Sequence, residues 1–141
     1  MNTAETLTES DSQYADYFKT IGLTMYKIRQ NVGVYTATAP ETDAGWSTVI
    51  LVGFTADSFT GITELNGLPY IAKTDMPYYI NSSGTVVRLI PDLISEKAST
   101  SGKNMHVWQG KLYYQCGTQG LYEYDPGDAG TTDISPSKYI T

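Results

Sequence analysis

Two stretches of the chain are copies of one another. Gly61 to Pro91 reads GITELNGLPYIAKTDMPYYINSSGTVVRLIP, and Asn104 to Pro136 reads NMHVWQGKLYYQCGTQGLYEYDPGDAGTTDISP. Displaced by 43 positions, Gly67 falls on Gly110, Tyr70 on Tyr113, Tyr79 on Tyr122 and Gly84 on Gly127, with Leu65 on Trp108 and Asn66 on Gln109. Past Gly127 the second copy is two residues longer, so Leu89 and Pro91 match Ile134 and Pro136 at a spacing of 45. A worn third copy precedes them. At a spacing of 87, Met25 and Tyr26 fall on Leu112 and Tyr113, and Gly33-Val34-Tyr35 fall on Gly120-Leu121-Tyr122. Asp43-Ala44-Gly45 matches Asp128-Ala129-Gly130 at 85.

A period of roughly 40 to 45 residues built from short aromatic strands is that of a propeller blade. Twelve tyrosines and thirteen glycines in 141 residues fit this reading, since Tyr, Val, Ile and Thr suit pleated strands and Gly, Asn, Asp and Pro suit the turns between them. The expected fold is all-β: a propeller-like repeat of about three four-stranded blades, a partial propeller. Residues 1–13 are polar and aperiodic and read as a disordered or loosely attached lead-in; blades are expected at about 14–55, 56–95 and 96–141. The run Tyr14 to Gly22 reads as a short helix or a first strand.

Within the second copy, strands are expected at Thr60 to Leu65, Leu68 to Lys73, Pro77 to Ile80 and Val86 to Ile90, with Asn66-Gly67 as a positive-φ hairpin turn. The third copy places them at Met105 to Val107, Lys111 to Gln115, Gly120 to Tyr124 and Thr131 to Ile134. In the first they are Phe18 to Ile21, Thr24 to Arg29, Gly33 to Thr38 and Trp46 to Val52. Residues 93–103, LISEKASTSGK, read as a long surface loop open to proteolysis.

Propellers close with typically four to eight blades, so about three leave two flat faces without a neighbour. Further blades of a longer chain, or other protein subunits, are the expected partners. The ending SPSKYIT carries no polar cap, which favours the longer chain.

Charge narrows the function classes. The net charge is −6 and no basic run occurs, so nucleic acid is not an expected partner. No apolar run approaches the roughly 18 residues of a membrane span, so membrane insertion is not expected, and MNTAETLTESDSQYADY is too polar and acidic for a signal peptide.

Candidate chemical residues are few. His106 is the one histidine and Cys116 the one cysteine, so neither a Ser-His-Asp set nor an internal disulfide can form; both read as strand residues. Asp125, Asp128 and Asp133 in DPGDAGTTD have the oxygen chemistry of a calcium site, but Pro126-Gly127 already explains that segment as a turn. Glu9, Asp11 and Asp16 read as solvated acids. Asn81-Ser82-Ser83 is a glycosylation sequon and equally a turn. No phosphate loop, dinucleotide fingerprint or zinc spacing occurs, so no cofactor and no catalytic residue is assigned. Among the tyrosines, Tyr70 with Tyr113 and Tyr79 with Tyr122 read as the packing set between blades. The unrepeated Tyr114 and Tyr124 read as solvent-facing candidates for a sugar- or protein-binding surface.

Asn66-Gly67-Leu68-Pro69-Tyr70 with Pro77-Tyr78-Tyr79, Gln109-Gly110-Lys111-Leu112-Tyr113 with Gly120-Leu121-Tyr122, and Gly33 to Pro40 leading to Trp46 share a hairpin-then-strand pattern. That pattern resembles propeller-like repeats of large structural proteins of tailed bacteriophages and related environmental sequences. The resemblance covers residue 18 onward and implies a structural or adhesive component of a virion or tail, located in a virion or extracellular particle, or else cytoplasmic. WD40 and Kelch repeats match less well, lacking their Gly-His, Trp-Asp and double-glycine signatures here. Asp43 to Ser47 and Asp128 to Thr131 resemble the Asp-box of sialidase propellers, yet Arg29 and Arg88 are the only arginines, too few for a sialidase cluster. The expected function is therefore non-enzymatic display of loops for protein or host-surface contact, with lectin-like glycan binding through Tyr and Trp as the alternative.

Overall fold

The computed structural model describes residues 15–40, 45–53, 55–74, 77–89, 105–115, 121–128 and 130–133. They form three antiparallel up-and-down sheets. Sheet A holds β1 (Tyr17–Ile21), β2 (Thr24–Arg29) and β3 (Gly33–Ala37); sheet B holds β4 (Phe59–Leu65), β5 (Leu68–Lys73), β6 (Pro77–Ile80) and β7 (Val86–Arg88). Sheet C holds β8 (His106–Trp108), β9 (Lys111–Gln115), β10 (Leu121–Asp125) and β11 (Gly130–Asp133), with a 3-10 turn at Pro126–Asp128. The chain is all-β, and Tyr17–Ile21 takes the strand option.

The same two-residue hairpin opens each sheet and fixes its register: Ile21 faces Thr24, Leu65 faces Leu68 and Trp108 faces Lys111. Asn66-Gly67 and Gln109-Gly110 both hold φ positive at the two central residues, as a type I′ turn requires, whereas only Gly22 does so in sheet A. The fourth strand expected at Trp46 to Val52 is reduced to two antiparallel bridges, Ala37 with Trp46 and Val34 with Ile50. The outer side carries one more residue between those bridges than β3 does, which breaks the ladder. Ser47 repairs the break, its Oγ accepting the Thr36 N–H at 3.0 Å.

Sheet B lies between the other two, so alternate side chains of its strands enter two separate cores. Ile71, Tyr78 and Ile80 join Ile28, Val34 and Val52 of the sheet A side. Tyr70 and Leu65 join Leu112, Tyr114 and Tyr122 of sheet C. Thr60 is an extra residue between the pairs Phe59–Lys73 and Gly61–Ala72. That bulge puts Phe59 and Ile62 on the same face, both in the sheet A core, where an unbroken strand would have opposed them. The first strands of neighbouring sheets lie against each other, β1 on β4 and β4 on β8.

The sheet order corrects one part of the repeat. Ala72 pairs with Pro77, but Gln115 pairs with Leu121, so the second hairpin of sheet C is one residue longer. Tyr122 therefore corresponds to Tyr78 rather than to Tyr79, and through the Lys27–Tyr35 pairing to Tyr35 as well. Tyr78 packs toward sheet A and Tyr122 toward sheet B, the same direction in both cases. Tyr79 points the other way, stacked on Tyr70 at 5.1 Å. Above Tyr78 lies Gly53 at φ 61, where a Cβ would stand 2.5 Å from the tyrosine oxygen, so the chain leaving sheet A can cross this ring only as glycine.

Polar groups add alignment between sheets A and B. The Gln30 side chain spans the gap like a piece of backbone: its Nε2 donates to Phe59 O at 2.7 Å and its Oε1 accepts the Phe59 N–H at 2.8 Å. Asp16 steadies the same turn, its Oδ2 accepting the Gln30 N–H at 2.7 Å. Lys73 is fully buried, its Nζ donating to Val52 O and lying 4.6 Å from the Phe59 ring centre. Each buried aliphatic or aromatic side chain contributes about 1.5–3 kcal/mol, against about 1 kcal/mol for a neutral hydrogen bond. Packing thus supplies most of the inter-sheet stability, and Gln30 selects one alignment of it.

Two outcomes follow. Gln30→Met keeps the side-chain length but removes both Gln30 hydrogen bonds to the Phe59 backbone, leaving its carbonyl only the Tyr17 hydroxyl at 3.4 Å, and should cost about 1–3 kcal/mol in urea unfolding. Burial, then the neighbouring Tyr124 and Tyr79, pushes the Tyr70 hydroxyl well above the ordinary tyrosine value, and burial does the same for Tyr124. A folded-state pKa raised above the unfolded one gives stability that is complete below about pH 10 and is lost as pH climbs beyond it. The urea midpoint should therefore fall between neutral and strongly alkaline pH, and Tyr70→Phe should flatten that fall.

Candidate functional site

Sheets A and C each have one face turned away from sheet B, and these two outer faces carry the chemistry accessible to a partner. On sheet C, strand alternation sends Leu112, Tyr114, Tyr122 and Tyr124 into the core and Trp108, Lys111, Tyr113, Leu121, Glu123 and Asp125 outward. Trp108 is 56% exposed, its ring centre 6.3 Å from that of Tyr113 at an interplanar angle of 55°. The Tyr113 hydroxyl donates to Glu123 Oε2 at 3.0 Å, and Lys111 Nζ lies 3.5 Å from Glu123 Oε1 and 3.9 Å from Asp125 Oδ2. Glu123, ahead of Asp125, raises the Lys111 ammonium pKa; partial desolvation and then the Glu123 hydrogen bond raise that of Tyr113. The result is an aromatic ledge of Trp108 and Tyr113 with a carboxylate-rich polar strip along one side.

The outer face of sheet A is built differently. Lys27 is completely buried, with Nζ 4.1 Å from the Trp46 ring centre and 5.0 Å from that of Tyr35. Taking an ammonium out of water is offset in part by such ring faces. Beside Trp46 an open recess of about 330 Å³ is lined by Thr24, Thr36, Thr38 and Ser47 among others. Phe18, on β1 opposite Lys27, is 58% exposed.

The residues singled out from sequence scatter rather than converge. His106 is exposed on β8 opposite Tyr113. Asp125 Oδ1 accepts the Gly127 N–H at 2.9 Å, the work of a turn-forming aspartate. Asp133 pairs with Tyr122 while Asp125 pairs with Gly130, three strand steps away or about 10 Å. The side chains of Asp128 and Asp133 lie outside the described residues, as do Cys116, residues 93–103, Glu9, Asp11 and Asp43. Among the described residues no group of three His, Cys, Asp or Glu side chains could hold a metal. Asn81 is a turn residue, its Oδ1 accepting the N–H groups of Ser83 at 3.0 Å and Thr85 at 2.9 Å.

The tyrosine assignment is overturned. Tyr114 is 0% exposed and stacks on Tyr122 at 5.8 Å, and Tyr124, half-buried, packs against the core with its ring 6.0 Å from that of Tyr70. Tyr113, expected to share the packing role of Tyr70, is on the open face instead. It occupies the equivalent position, but no described sheet covers it as sheet C covers Tyr70. Trp108 was legible only as the partner of Leu65 in the repeat, and its exposure depends on the same lack of a covering sheet. Gln30, a single turn residue, carried no sequence signal.

Among the described residues no helix is long and apolar enough to cross a membrane. No family model matches this sequence, and no curated protein or solved structure matches it either.

If Asp125 serves its turn alone, millimolar calcium should leave the thermal midpoint where a chelator leaves it. A calcium-dependent rise would instead bring in the neighbouring aspartates.

Proposed function

We propose that this chain is a non-enzymatic module of β-propeller type, about three blades of a partial propeller. In this reading it serves as a structural or adhesive component of a phage-like virion or tail and displays its faces and loops to neighbouring subunits or a host surface. The observation that carries the blade reading is the equivalence of the three sheets. Each is an up-and-down meander opening on the same hairpin, the first strands lie side by side, and Tyr78 and Tyr122 pack onto the preceding sheet from matching positions. The repeated positions serve turns and packing, which any blade needs whatever it binds. The virion assignment is supported by the resemblance of the hairpin pattern to phage structural repeats.

A second reading, glycan binding, now draws support from Trp108 and Tyr113 rather than from Tyr114 and Tyr124. An exposed indole beside a tyrosine and carboxylates is a surface on which a sugar ring can stack and hydrogen-bond.

Peptide mass spectrometry of gradient-purified particles from the host culture tests the first reading. The chain should co-purify with the particle band; recovery only from the particle-free fraction would overturn it. Glycan-array binding lost in Trp108→Ala would move the assignment to the second reading.

A further inference from the structure

We infer that Tyr79 and Tyr124 form an oxidative cross-linking site: a one-electron oxidant driven by a peroxide joins the two rings by a carbon–carbon bond and staples sheet B to sheet C. The inference goes beyond the module reading and does not depend on it, since it needs only these two sheets packed as they are.

Three tyrosines meet where the sheets meet. The Tyr70 ring centre lies 5.1 Å from that of Tyr79 and 6.0 Å from that of Tyr124, and those of Tyr79 and Tyr124 are 6.4 Å apart. Their hydroxyls run in a chain, Tyr70 donating to Tyr124 and Tyr124 donating to Tyr79. Orientation and burial separate the pairs. Phenoxyl rings join through the carbons beside the oxygen, so ring edges must meet at the hydroxyl end. Tyr70 and Tyr79 are stacked face over face at 18°, and Tyr114 and Tyr122 at 19°. Tyr79 and Tyr124 are tilted at 36° with their hydroxyls hydrogen-bonded, which brings the reacting edges together. Tyr70 is also tilted toward Tyr124, but at 2% exposure its ring is fixed in the core and its proton has no route to water. Tyr79 and Tyr124 are half-buried at the core margin, so they release protons to water and close the remaining gap by side-chain motion.

The oxidant takes one electron from each phenol while the hydroxyl proton passes to water. The two phenoxyl radicals pair at their Cε carbons to form the new bond. The hydrogen left on each joined carbon moves to its oxygen as a proton, restoring both aromatic rings. The product has two hydrogens fewer, and the two electrons break the O–O bond of the peroxide. With one cysteine the chain cannot form an internal disulfide, so this bond is a covalent tie of a kind its thiol cannot supply. It closes a loop from Tyr79 to Tyr124 and restricts the unfolded chain as a disulfide does.

Brief illumination of the folded chain at low micromolar concentration, with tris(bipyridine)ruthenium and persulfate as the peroxide, tests this. Wild type should give a monomer-sized species lighter by two hydrogens, with blue dityrosine fluorescence and a higher urea midpoint than untreated protein. Mass spectrometry of tryptic fragments should place the bond between Tyr79 and Tyr124. Tyr79→Phe and Tyr124→Phe should each lose it. Tyr70→Phe, which removes the most buried hydroxyl of the cluster, should keep it, as should Tyr113→Phe, which removes a ring on the open face through which separate molecules join. Circular dichroism checks that each variant is folded, and the bond mapped in wild type decides even for one that is not. Four results would overturn the inference: no internal bond in wild type, a bond through Tyr70 or Tyr113 instead, survival of the bond in Tyr79→Phe or Tyr124→Phe, or an equal yield of it from urea-unfolded chain.

Discussion

Sheet B has no face to give to water. Residues of β5 from Pro69 to Lys73 are all buried, and strand geometry sends them alternately into two cores, so both alternating sets must be apolar or fully accommodated. That constraint explains why LPYIAK and PYYI lack the polar alternation of a half-exposed strand. It explains the bulge at Thr60, which recovers Phe59 for the sheet A core. It also explains Lys73, the one charged residue of β5, whose ammonium meets a backbone carbonyl and an aromatic face instead of solvent. Sheets A and C satisfy B on either side, and in doing so each is left with a single outer face.

Much of this was legible in the sequence because hairpin chemistry is local. Asn66-Gly67 and Gln109-Gly110 announce turns wherever they occur, and the strands on either side come out within a residue or two of where the pattern puts them. What was not legible was direction across the sheet. Sliding one copy over the other without a gap aligned Tyr79 with Tyr122, but the extra residue between Gln115 and Leu121 makes Tyr78 the true counterpart. In a structure of period two, a slip of one residue moves a ring from one face to the other. Tyr114 and Tyr124 were expected to face solvent because the repeat gives neither a counterpart, but both pack against the core shared with sheet B.

The outer faces illustrate a different limit. Tyr70 and Tyr113 occupy identical positions in the repeat, yet one is 2% exposed and the other lies on an uncovered face. Position in a sheet decides which way a side chain points; whether another sheet lies over it is decided by what packs next to that sheet. Gln30 is a third kind of case. Its amide bridges the β2–β3 turn to the start of β4, a role set by the distance between sheets rather than by any local pattern.

The central claim is that equivalent sheets stack in one direction, each third-strand tyrosine beneath the sheet before it. Nuclear Overhauser contacts from assigned tyrosine rings measure this directly. Tyr122 should show contacts to the Leu65 methyls, and Tyr78 to the methyls of Ile28 and Val34. Tyr122 contacts confined to sheet C, or Tyr79 in place of Tyr78 against sheet A, would contradict the stacking and the equivalence drawn from it.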